Sequence, residues 1–369
     1  MRKITILCNA YSSEATARPE LICALRSQYD KIYCGRVFDG EISSYFLDGN
    51  AICMPIVASR NNTNPFVELK SLASIKKAIK ENGIDSAIVY GVKNHAAMAI
   101  GARLGGAKKV LCVVNGSGNL FRIGGIKGFI LRAISFPMLK IAYMVCTAVC
   151  FQNSDDKQLF IKKHLVKDCD KCFVTGGSGV NLSIFSEKEL PKENRFMFLA
   201  RITASKGIKE YINAAKLVKD RYPDAMFDIV GPLDARVESG LGTLLEDAER
   251  QGIVNYHGPT NDVPAKLKEC RFFVYPSYYP EGVPRCAIQA IATGRPIITC
   301  NTPGCKETAI DGVNGFIVPP KNEQALAKKM IWMIENPDKA EAMAKESRRL
   351  AEEKFDVHKI NEQIIQRLK

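Results

Sequence analysis

The stretch "CRFFVYPSYYPEGVPRCAIQAIATGRPIITC", residues 270–300, decides the fold. "CRFFVYPS" is a short aromatic and aliphatic run, the composition of a buried strand. "YYPEGVPR" interrupts it with two prolines and a glycine. "RCAIQAIATG" then spaces Ala287, Ile288, Ala290 and Ile291 along one buried helix face and stops at Gly294. "RPIITC" is a second apolar run. A strand, a helix and a strand in succession form the unit of a parallel sheet. Within it, Glu281 stands at the mouth of the helix and Gln289 lies about a turn and a half inside. Glu281 and the backbone N–H groups of Gly282 and Val283 can therefore face a ligand, with Gln289 meeting a part of it further along the helix. A buried, unpaired amide costs about 1–3 kcal/mol. Gln289 inside "AIQAIA" is thus either a ligand contact or an amide satisfied by a neighbouring carbonyl.

The same alternation extends in both directions. One series of strands is expected at 3–10, 31–38, 51–57, 86–91, 109–116, 147–154 and 172–177. A second is expected at 195–201, 226–231, 254–258, 270–277, 295–300 and 315–320, with helices such as 204–220, 322–335, 338–353 and 356–368. A chain of 369 residues is long for a single core, and the polar segment "SEKELPKENR", 186–195, reads as a linker. The expectation is α/β: two Rossmann-like, doubly wound domains facing across a cleft. They cover 1–188 and 189–353, with a C-terminal helix at 354–369 packing back on the first. Ligands in such sheets bind beyond the carboxyl ends of the strands.

Composition narrows the class. With 46% hydrophobic and 25% charged residues the chain is globular rather than disordered. The opening "MRKITILCNA" has too short an apolar run for a signal peptide and reads as a first strand. Thirteen cysteines without framework spacing imply free thiols and a reducing cytoplasm. "CDKC" at 169–172 has no second ligand pair and reads as a surface turn. The "DCD" at 168–170 lies in a Lys-rich loop, so no metal site is expected. Charge is divided unevenly: residues 1–185 hold 24 Lys and Arg against 13 Asp and Glu, a net +11 of the chain's +13. No carboxylate occurs between Asp85 and Asp155. That half should face something anionic, such as a nucleic acid, a phosphorylated substrate or an acidic membrane.

In "LARITASKGIKEYINAAKLV", 199–218, a strand ends at Arg201 and Lys206-Gly207 opens a helix. Two cations beside free helix N–H groups suit a diphosphate, although exposed surface cations would read the same way. Arg201-x4-Lys206-Gly207, then "PSYYPEGVPRCAIQAIATGRPII", then "NTPGCKETAIDGVNGFIV" together resemble the retaining GT-B glycosyltransferases of family 4. "GGSGVNLSIF", 176–185, looks like that family's junction segment with Asn181 for an acid. The resemblance implies a hexosyltransferase with no cofactor and no metal. Its C-terminal domain would bind a nucleotide-sugar, UDP-linked in the nearest look-alikes, and its N-terminal domain the acceptor. Arg201 and Lys206 would hold the donor diphosphate, and Glu281 with Gly282, Val283 and Pro284 the donor sugar. The family's signature has a second acid where this chain has Gln289. In relatives that acid accepts from the ribose hydroxyls, which an amide carbonyl can also do with less charge. The substitution also leaves room for an inactive relative.

On the acceptor side, His95 in "YGVKNHAAMAIG" opens a helix after a strand, as an acceptor contact or a capping histidine. Asn115, Ser117 and Gly118 in "VVNGSGNLF" occupy the loop that lies beside sugar and acceptor in such enzymes. In "NLFRIGGIKGFILRAISFPMLKIAYMVC", 119–146, Phe121, Arg122, Lys127 and Arg132 read as membrane-facing. Pro137 and Lys140 argue against a span. The whole suggests transfer of a hexose or N-acetylhexosamine to a lipid-diphosphate-linked saccharide in surface-polysaccharide assembly. The enzyme would be cytoplasmic, peripheral on the anionic inner membrane face, with no nucleic-acid partner. A GT-B UDP-sugar epimerase would need acids in the N-terminal cleft that 86–154 lacks. A basic nucleic-acid-binding protein would leave the donor-site residues without a role.

Overall fold

The structure, a computed structural model, describes residues 1–8, 19–36, 51–57, 65–233 and 239–369. The strand ends expected at 9–10 and 37–38 lie outside the described residues. The chain divides into one unit of Met1–Gly177 with Val357–Lys369 and another of Ser178–Asp356.

The first unit has β1 (Lys3–Leu7), β2 (Lys31–Arg36), β3 (Ile52–Pro55), β4 (Ser86–Tyr90), β5 (Lys109–Val114), β6 (Ala148–Phe151) and β7 (Cys172–Val174). They form one parallel sheet in the order β3-β2-β1-β4-β5-β6-β7. Its helices are α1 (Pro19–Arg26), α2 (Pro65–Asn82), α3 (His95–Leu104), α4 (Asn119–Arg122), α5 (Gly125–Val145) and α6 (Ser154–Lys162). All five residues of β4 are buried, which requires helices on both faces. The period of two delivers this. Ala87 and Val89 point with Val110 and Cys112 toward Ile75, Met98 and Leu139 of α2, α3 and α5. Ile88 and Tyr90 point the other way, into a core with Leu21 and Leu25 of α1. That second core is completed by Ile360 and Ile364 of the C-terminal helix Val357–Gln366.

The second unit has β8 (Arg195–Leu199), β9 (Met226–Val230), β10 (Asn255–Tyr256), β11 (Phe272–Tyr275), β12 (Ile297–Cys300) and β13 (Gly315–Val318). Their order is β10-β9-β8-β11-β12-β13, again parallel. Helices α7 (Ile208–Lys219), α8 (Ser239–Arg250), α9 (Val263–Glu269), α10 (Arg285–Ala292), α11 (Glu323–Glu335) and α12 (Pro337–Lys354) follow, so Val357–Gln366 is α13. The chain order reverses between β8 and β11, which makes their carboxyl ends the switch point of this sheet.

All thirteen expected strands are present, most of them shorter at their carboxyl ends, where the functional loops depart. The helix expected over 204–220 is broken into a 3-10 turn, Ala204–Lys206, and α7. α10 ends with the Gly294 N–H on the Ile291 carbonyl and the Arg295 N–H on that of Ala290, so Gly294 stands one residue beyond the cap. The polar segment around 188 is stitched to the second unit rather than left as a free tether. Fully buried Arg295 donates to the Glu189 carbonyl at 2.9 Å, and the Lys188 N–H to that of Thr293. Val180 and Phe185 lie in the same core as Leu350 and Phe355, which draws the unit boundary back to Gly177.

Candidate active site

Three loops leave adjacent strands β8, β11 and β12, and the expected donor-site residues other than Gln289 stand on the first two. Glu281 and Lys206 form an ion pair, and both side chains are mostly shielded, 13% exposed for Lys206 and 17% for Glu281. The same Glu281 oxygen, Oε1, accepts from the Tyr275 hydroxyl at 2.5 Å and from Ser277 Oγ at 3.2 Å. Lys206 Nζ also donates to the Tyr275 hydroxyl at 3.0 Å and lies 5.5 Å from the Tyr279 ring centre. Tyr275, Ser277 and Tyr279 were not singled out from the sequence. Their signal was present: "YPSYYPE" carries hydroxyls four and six residues before the carboxylate.

Backbone contacts fix the loops. The Ser205 carbonyl accepts from the Tyr278 N–H at 3.1 Å and from Ser277 Oγ at 3.3 Å. Gly207 has φ +81°, and a Cβ there would come within 2.2 Å of the Pro276 carbonyl oxygen. Glycine at 207 therefore lets the two loops meet. The third loop closes in the same way. Thr302 Oγ1 donates to the Ser277 carbonyl, and a Cβ on Gly304 (φ +80°) would lie 2.2 Å from the Gly282 carbonyl oxygen. These contacts preorganise a cation–carboxylate pair on rigid elements.

Electrostatics follow from burial. Burial first, and then the Glu281 charge, push the Tyr275 phenol well above its usual range, so it stays protonated and donates to the carboxylate. The thiols of Cys286 and Cys305 are pushed up to about 12, by burial and then by Glu281. Both remain neutral and unreactive.

The remaining donor-side residues are placed as follows. Arg201 is exposed on the β8 loop, five residues before Lys206. Gly282, Val283 and Pro284 are buried ahead of α10, with the Val283 side chain in the core. Gln289 is half-buried on α10, among buried Ile288 and Ala290, so its amide is not sealed in the core.

On the other unit, Asn115 and Gly118 are half-buried in the loop after β5, and Ser117 is buried. Ser117 hydrogen-bonds the carboxylate of Asp156, which also accepts from Asn153 Nδ2 at 2.9 Å. Burial raises the Asp156 carboxyl above its ordinary value, and these hydrogen bonds oppose the rise. The sequence reading missed Asp156 because it lies just beyond the acid-free window and reaches the loop only through the fold.

Three expectations are corrected. His95 is fully buried and does not meet an acceptor. Its Nε2 lies 3.1 Å from the Val113 carbonyl, which can only accept, so Nε2 carries the proton. Nδ1 then accepts from the Tyr143 hydroxyl at 2.9 Å, and burial lowers the imidazole to about 4. Phe121 turns inward, 5.8 Å from the Phe136 ring centre and 5.4 Å from that of Phe160. Arg132 is half-buried and donates to the Ile123 and Leu120 carbonyls at 2.8 and 3.3 Å, bracing the start of α5 instead of facing a membrane. Arg122 and Lys127 are exposed.

Comparison with known proteins bears on the family and the fold. Residues 181–350 match the family "Glycosyl transferases group 1", so the second unit carries a domain of that kind. The chain is 26% identical over 348 residues, covering 90% of each chain, to the N,N'-diacetylbacillosaminyl-diphospho-undecaprenol alpha-1,3-N-acetylgalactosaminyltransferase of Campylobacter jejuni. It is 27% identical over 295 residues to the UDP-Gal:alpha-D-GlcNAc-diphosphoundecaprenol alpha-1,3-galactosyltransferase of Escherichia coli, covering 76% of this chain and 73% of that one. The solved structure of Anabaena HepE in complex with UDP superposes with a TM-score of 0.79 at 18% identity, over 100% of this chain and 99% of that one. Two Rossmann-like parallel-sheet domains of the GT-B type are the fold of this protein.

Proposed function

We propose that the protein is a retaining, metal-independent hexosyltransferase that uses a UDP-sugar. It moves a hexose or N-acetylhexosamine to a saccharide on a lipid diphosphate, as a peripheral protein of the inner membrane face. The observation that carries the reading is the Lys206–Glu281 pair at the switch point of the domain that matches the glycosyltransferase family. Lys206 and Arg201 supply positive charge where the leaving diphosphate develops its negative charge, which is electrostatic stabilisation without proton transfer. Glu281, held by three donors on one oxygen, is the carboxylate assigned to the donor sugar. Gln289 stands further along α10, on the nucleoside side.

The acceptor class is supported by the names of the two relatives, both of which act on diphospho-undecaprenol saccharides. Both names also specify an alpha-1,3 linkage, and an alpha product from an alpha-linked nucleotide-sugar is retention. The test is transfer from a panel of UDP-sugars to an undecaprenyl-diphosphate-linked saccharide, with chelator present, followed by NMR of the new anomeric centre. A beta product, or transfer abolished by chelator, overturns the corresponding part of the reading. Absence of transfer from every donor, despite nucleotide binding, identifies an inactive relative.

A further inference from the structure

Among the described residues, one helix, α5, is long and apolar enough to cross a membrane by length and composition. It runs unbroken through Pro137, yet one of its faces belongs to the protein. Leu139, Ala142 and Tyr143 lie in the core with α2 and α3, and the Tyr143 hydroxyl bonds His95. A span would have to be pulled out of that core. The opposite face is the unusual one. Ile126, Phe129, Ile130, Ile134, Ile141 and Met144 follow helical spacing and are all exposed, Ile126 at 78% and Phe129 at 71%. Ala133 and Pro137 are exposed between them, and Lys127 is the only exposed charged residue of the helix. From Ile126 to Met144 this stripe runs about 27 Å. Scattered exposed apolar residues are normal, but a continuous stripe of this length marks an interaction surface.

We infer that the outer face of α5 inserts into the acyl boundary of a bilayer, with the helix lying in the membrane plane. The inference rests on the lipid-linked acceptor proposed above. Charge favours a bilayer over a second protein: no carboxylate occurs from 86 to 154, and Arg122 and Lys127 stand exposed at the amino end of the stripe, suited to acidic headgroups. A free amphipathic helix has a charged face toward water. Here that place is taken by the domain core, so the helix is already ordered and presents only its apolar side. Binding is therefore carried by insertion, with the cations secondary.

Flotation with phosphatidylglycerol vesicles tests this at low salt and again at about 0.5 M salt, where exposed charges are screened. The parent protein is expected to float in both. The Ile126→Ser, Phe129→Ser, Ile130→Ser triple variant should keep its melting temperature and lose flotation by about tenfold or more, as expected from the lost apolar area. The Arg122→Gln, Lys127→Gln variant should still float at high salt. A parent that fails to float, that is stripped by salt, or that floats as well without the three apolar side chains overturns the inference. So does a parent dimer that the triple variant dissociates with flotation unchanged, since the stripe would then seat a second copy. Flotation as expected, in a protein that transfers no sugar, would uphold the insertion face and reject the proposed function.

Discussion

Lys206 and Glu281 are 75 residues apart in sequence and form an ion pair because β8 and β11 are neighbours in the second sheet. Neither side chain is free to choose another geometry. Gly207 locks the lysine loop against Pro276, and Tyr275 and Ser277 hold the carboxylate. The pair is thus set before any ligand arrives, as expected of a site that stabilises developing charge.

The first expectation is kinetic. Lys206→Ala should lower turnover by about 100-fold or more, the range seen when a preorganised electrostatic group is removed. Arg201→Ala, at an exposed position, should lower turnover less and raise the donor KM more. Arg201→Ala should melt near the parent temperature, and Lys206→Ala, which leaves the shielded Glu281 without its counter-charge, should melt lower but still fold. Normal turnover of Lys206→Ala at saturating donor would remove the lysine from the mechanism.

The two sheets were legible because each strand is an apolar run between breakers, and Lys206 and Glu281 were legible as separate candidates. Their pairing was not, since sheet order, which sequence does not carry, brings them together. Tyr275 and Ser277 passed as the end of a strand and Tyr279 as loop composition, although they build the surroundings of the ion pair. His95, Phe121 and Arg132 were misread for one reason. For each, the helix phase decides between inward and outward, and no local pattern fixes that phase: His95 and Phe121 stand at or near a helix start, and Arg132, two turns into α5, reaches back to the Leu120 and Ile123 carbonyls. The buried His95 ring and the Phe121–Phe160 contact follow from tertiary packing alone.

Gln289 permits a sharper test of the donor site. If its amide accepts from the nucleoside ribose, Gln289→Glu should tighten nucleotide-sugar binding by about 1 kcal/mol, the gain from charging a hydrogen bond. Gln289→Leu should weaken binding by a similar amount. The half-buried setting tolerates either side chain without a large stability cost. Titration calorimetry with UDP on both variants decides the point, and unchanged affinity in both would return Gln289 to simple packing.

Gly207→Ala probes whether the loops must meet. An L-residue at φ +81° costs about 1–2 kcal/mol. The new methyl would also press on the Pro276 carbonyl oxygen, where the clearance is 2.2 Å. The variant should lose about 2 kcal/mol or more in urea unfolding, with donor binding impaired well beyond what global unfolding explains. A variant that binds donor normally would show that the register between these loops is not needed.

His95 makes a prediction in pH. Its ordinary value of 6.5 is lowered to about 4 in the folded protein by burial. The native state keeps the ring neutral between those values while the unfolded state takes up a proton. The unfolded state therefore binds more protons in that window, and the stability this group contributes is complete above pH 6.5 and falls as pH drops toward 4. The shift corresponds to about 3 kcal/mol at 1.36 kcal/mol per unit. His95→Gln does not titrate and can still donate to the Val113 carbonyl and accept from Tyr143. Its stability should lie below that of the parent at pH 7.5, with the gap narrowing from pH 6.5 to about 4. Urea unfolding of both proteins across that range measures the difference directly and cancels the carboxylates they share. A gap that stays constant would mean the ring is protonated in the folded state, and then the Nε2 proton on Val113 and the Tyr143 contact that pins α5 could not both be as described.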